Sequence, residues 1–84
     1  MNLYLIYRDN HGLDGKWDVY RAAVVAAVDE AEARNTHPDG EISPPYTWEE
    51  HDAWVLPERV GVQYLGHAVP GTRKGVICSD YKAG

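Results

Sequence analysis

Clusters of turn-forming residues divide this chain into short segments, and that division limits what it can fold into. Glycine, proline, asparagine and aspartate concentrate in 9–15, 37–45 and 69–75, and such clusters end helices and strands. No apolar segment between them approaches the length of a membrane span. Because the chain has 84 residues, we expect a single domain (1–84) whose core is one layer of helix on sheet or a small bundle.

Three segments predict β-strands. Leu3–Tyr7 is rich in aliphatic and aromatic residues, and Arg59–His67 alternates with Val60, Val62 and Tyr64 on one side. Val76–Tyr81 forms the last apolar run, after a loop that contains Pro70, Gly71 and Gly75. We expect this last strand to pair antiparallel with the one before it, as a hairpin.

The segment 17–36 fits two descriptions. Its alanines permit one long helix, with Val24 and Val28 on one face. The alternative is a strand through about Ala26 followed by a short helix, which Asp29 would cap with Glu32 three residues later. We favour the second description. The element order is then β-β-α-loop-β-β, which predicts an α+β fold: a small antiparallel sheet of about four strands with one helix packed on one face.

Negative charge is concentrated in one middle segment. Between Asp29 and Glu58 there are nine carboxylates and one cation, a local balance of −8, whereas the whole chain carries −5. The residues before this segment are balanced, and those after it carry one acid and four bases. We call 29–58 the acidic segment.

The acidic segment also contains two tryptophans, and acids with aromatic anchors suit docking onto a basic partner. The alternative is that the acids simply keep a small domain soluble. On the docking hypothesis the candidate partner-binding residues are Asp29, Glu30, Glu32, Asp39, Glu41, Trp48, Glu49, Glu50, Asp52 and Trp54. A net negative charge argues against direct nucleic-acid binding, since neutralising phosphates requires clustered Lys and Arg.

The sequence offers no catalytic pattern. Four histidines and one cysteine show no metal-ligand spacing. Cys78 and His67 could meet across the expected final hairpin, but a cysteine in an apolar strand is typically a small buried hydrophobe. We therefore expect no enzyme activity, no cofactor and no metal. A single cysteine also excludes an internal disulfide, which favours a reducing compartment such as the cytosol. We further expect a monomer without membrane contact.

The chain resembles small acidic proteins encoded by bacteriophages and prophages. The resemblance extends over most of the chain and rests on the order of its segments. These are Met1–Ile6, the run Ala22–Ala27, Glu32–Arg34 leading to His37–Gly40, the strand 60–66, and the closing 75–84, GVICSDYKAG. Among such proteins it most resembles anti-CRISPR inhibitors of type I surveillance complexes, with type I-C as the candidate subtype.

This resemblance implies a function in the host cytoplasm, where the acidic segment would occupy a basic DNA-reading surface and block target DNA. It implies no particular functional residues. Two alternatives stay open: an accessory phage protein that binds another host protein, and a small structural phage protein that associates with itself through an exposed edge strand at Leu3–Tyr7 or Val76–Tyr81.

Overall fold

The computed structural model describes residues 1–8, 19–40 and 53–82. These residues form one antiparallel sheet, in the order β3-β1-β2-β4, with one short helix. The elements are β1 (Asn2–Tyr7), β2 (Val19–Ala27), α1 (Glu30–Arg34), a 3₁₀ turn (Pro57–Arg59), β3 (Gly61–His67) and β4 (Gly75–Lys82). Over the described residues, the predicted α+β class, a small four-stranded antiparallel sheet with one helix, is confirmed.

Residues 19–27 form a strand and not part of a long helix. β2 is central in the sheet, because Val24 pairs with Leu5 of β1 on one side and with Cys78 of β4 on the other. Its alanines and valines alternate between the two faces, and Ala23, Val25 and Ala27 are buried on one of them. The chain then turns into α1, as the favoured description predicted. Trp17 lies outside the described residues.

The predicted hairpin between the last two strands is wrong. β4 pairs with β2, whereas β3 pairs with β1, so the two strands lie at opposite edges of the sheet. The connecting residues Ala68–Lys74 must cross three strand spacings, about 14 Å, which seven extended residues can reach. Of the two strands named as alternative edges, Leu3–Tyr7 is not an edge, since β1 has a neighbour on each side, whereas Val76–Tyr81 lies in β4 at one end of the strand order.

A tight turn lies inside this connection. The Val69 carbonyl oxygen accepts a hydrogen bond from the Thr72 N–H at 3.1 Å, and Gly71 has φ +90°. Proline at the second position and a glycine with positive φ at the third are the features of a type II turn. The predicted loop at 69–75 therefore contains a turn, and that turn does not join neighbouring strands.

The core lies on one face of the sheet, between the strands, α1 and the segment 53–60. Ile6, Val25, Ala33 and Trp54 are almost completely buried there. The Tyr20 N–H donates to the Ala53 carbonyl oxygen at 2.8 Å, which joins this segment to the start of β2. The remaining members of the cluster are Tyr4, Ala23, Ala27, Val55 and Val60.

The opposite face of the sheet is more open. Leu5 and Val24 are half-buried there and line a shallow apolar groove together with Cys78. Beside the groove, the Arg21 guanidinium forms an ion pair with the Asp80 carboxylate, with Nε and Oδ2 3.0 Å apart. The described residues thus form two layers: the sheet, and α1 with the segment 53–60 packed on one of its faces.

Candidate partner-binding surface

The first acids of the acidic segment build the start of α1. The Asp29 side chain is the N-cap, because its Oδ1 accepts a hydrogen bond from the Glu32 N–H at 2.8 Å. Glu32 reaches back in turn, and its Oε1 accepts from the Val28 N–H at 3.0 Å. The predicted capping pair is formed, although Glu32 bonds the N–H one residue before the cap. Asp29 and Glu32 therefore each have two roles: they stabilise the start of the helix and they carry negative charge there.

Glu30 lies in the first turn of the same helix and is exposed. Its Oε1 is 3.2 Å from Nη2 of Arg34, four residues later. The Arg34 guanidinium also donates to the Val60 carbonyl oxygen, which joins α1 to the residue after the 3₁₀ turn. Arg34 is the single cation of the acidic segment, so it serves both as an anchor of the helix and as a partial counter-ion to Glu30.

A base from outside the acidic segment also reaches this helix. Lys74, at the end of the connection to β4, places its Nζ 3.5 Å from Oε2 of Glu32. An acid and a base that are far apart in the sequence are therefore close together in the folded chain. Exposed ion pairs of this kind contribute little stability. The carboxylates of Glu30 and Glu32 both remain partly exposed to solvent.

Asp39 follows α1 and is joined to a buried histidine. The Asp39 N–H donates to Nδ1 of His37 at 2.9 Å. His37 is 1% exposed, and its ring meets the Tyr20 ring edge-on with centroids 6.1 Å apart. The sequence placed His37 only in a turn. No local signal predicts its burial, because the Tyr20 ring that packs against it lies on β2, 17 positions earlier in the chain.

Trp54 is not on the surface. Its side chain is 2% exposed and packs in the core with Val55 and Val60. Its Nε1–H is buried without an acceptor among the described residues. Direct contact of Trp54 with a partner would require the core to open, so the structure corrects the expectation that it anchors binding.

The other predicted site residues lie outside the described part of the chain. These are Glu41, Trp48, Glu49, Glu50 and Asp52. Of the ten predicted residues, the structure brings together Asp29, Glu30 and Glu32 at α1, with Asp39 five residues after the helix. Glu58, which was not among the ten, is also exposed, in the 3₁₀ turn next to the contact that Arg34 makes. Its position in the same acidic segment was the available signal.

The suggested thiolate–imidazole pair is not formed. His67 lies on β3 and Cys78 on β4, and the two central strands separate them. Three strand spacings amount to about 14 Å, far beyond hydrogen-bond reach. Cys78 is exposed, which differs from the buried position expected for it.

Two further findings concern the described residues as a whole. Within 1–8, 19–40 and 53–82, no group of three His, Cys, Asp or Glu side chains could hold a metal ion. Over the same ranges the structure contains no helix with the length and hydropathy needed to cross a membrane.

Comparison with known proteins gives no relative. No protein-family model, curated protein or solved structure matches the chain. The functional argument therefore rests on the residues described above.

Proposed function

We propose that this chain is a phage-encoded inhibitor that binds a type I CRISPR surveillance complex in the host cytoplasm and blocks target DNA binding. The binding surface is the acidic one that begins at α1, with Asp29, Glu30, Glu32 and Asp39. The acids at Glu41, Glu49, Glu50 and Asp52 extend it along the sequence, with Trp48 as the aromatic anchor. The protein acts by occupying a surface and performs no turnover.

The observation that carries this proposal is the concentration of charge. Nine of the thirteen carboxylates fall within 30 consecutive residues. Asp29 and Glu30 are exposed at the start of a helix whose own hydrogen bonds hold their backbone in place. Fixed carboxylates need little reordering when they meet Lys and Arg side chains, which lowers the entropic cost of binding. A surface that reads DNA phosphates presents such side chains.

The proposal predicts how salt and charge act. Attraction between an acidic and a basic surface mainly accelerates the encounter, and it weakens as ionic strength rises. Binding to the surveillance complex should therefore decrease with salt, chiefly through a slower association rate. The isolated chain should bind neither single-stranded nor double-stranded DNA.

Amide substitutions in α1 test the surface without removing its caps. Asparagine and glutamine keep the acceptor oxygens that bond the N–H groups of Glu32 and Val28, so Asp29→Asn, Glu30→Gln and Glu32→Gln together remove charge and retain the helix. We expect this triple variant to associate with a purified type I complex roughly tenfold more slowly at low salt. Surface plasmon resonance gives the rates, and displacement of labelled target DNA gives the inhibition.

Glu30→Gln and Asp80→Asn form a matched pair of controls. Each removes one exposed carboxylate that is paired with an arginine, Arg34 and Arg21 respectively, at 3.2 and 3.0 Å. They differ in position, because Asp80 lies on β4. Slower association of the Glu30 variant alone supports the acidic surface. Equal effects would point to net charge, and unchanged binding by the folded triple variant would refute the surface. Capture of a different host protein in a lysate pulldown would exclude the CRISPR target.

A further inference from the structure

We draw no further inference here: the strongest candidate, the shallow apolar groove that Leu5, Val24 and Cys78 line on the open face of the sheet, carries none because nothing in the structure shows what covers it.

Discussion

Replacing Trp54 separates a core role from a binding role. The side chain is 2% exposed, and truncating a buried tryptophan to alanine removes about 3–5 kcal/mol. An 84-residue domain has a total stability of about 4–13 kcal/mol. Trp54→Ala should therefore lower Tm by more than about 12 °C or unfold the chain. Any loss of partner binding in this variant would follow from unfolding.

Trp54→Phe is the matched variant, because it keeps a ring and removes the buried Nε1–H. A buried donor without an acceptor costs about 1–3 kcal/mol, and its removal offsets most of the packing lost with the smaller ring. We expect this variant to stay within about 1 kcal/mol of wild type.

Urea unfolding followed by far-UV circular dichroism measures both variants, since fluorescence would change with the tryptophan itself. A loss below about 1 kcal/mol in Trp54→Ala would refute the buried position. A Phe variant as unstable as the Ala variant would show that the indole N–H has an acceptor.

Four other substitutions test the fold and the surface. Gly61→Ala should destabilise the protein by about 1 kcal/mol, because a Cβ there would lie 2.3 Å from the Tyr7 ring. In a Tyr7→Ala background the same change should be neutral or stabilising. If the two substitutions instead have additive effects on Tm, the contact between Gly61 and Tyr7 is contradicted. Asp29→Ala should cost about 1 kcal/mol, whereas Asp29→Asn should cost less because it keeps the cap; equal losses in urea would rule out capping. Gly71→Ala should cost about 1–2 kcal/mol at φ +90°, and an unchanged Tm would exclude that turn. Lys74→Gln should accelerate binding to a basic partner, since it removes the cation on Glu32; slower association in surface plasmon resonance would contradict the acidic surface.

The features that the sequence predicted correctly depend on neighbours in the chain. The cap at Asp29 requires only the N–H of Glu32 three residues later. The loop predicted at 69–75 requires only the closely spaced Pro70, Gly71 and Gly75. The alternation predicted for Val60, Val62 and Tyr64 is met in part: Val60, just before β3, is buried and Val62 packs against the core, whereas Tyr64 is 53% exposed. Each of these is settled by local geometry, so residue type and spacing are enough.

The features that the sequence missed depend on distant pairing. Two strands joined by a short loop of turn-forming residues suggest a hairpin, yet here the loop crosses the end of the sheet. The pairing of β4 with β2 places Val76 opposite the buried Val25, against the core. The sequence leaves open whether Trp54 is buried or exposed. In the structure it packs in the core, in a segment that a hydrogen bond from the Tyr20 N–H to the Ala53 carbonyl oxygen joins to β2.

The charge pattern changes its meaning once the chain is folded. Along the sequence the acidic segment and the basic C-terminal part are separate, but Lys74 contacts Glu32 across 42 positions. A basic partner that binds α1 must therefore compete with two cations of the chain itself, Arg34 and Lys74. Such a partner is attracted most strongly by the carboxylates that do not form ion pairs with Arg34 or Lys74. We infer that association rates respond most to charge at Asp29, whose side chain contacts only backbone N–H among the described contacts, and less to charge at Glu32.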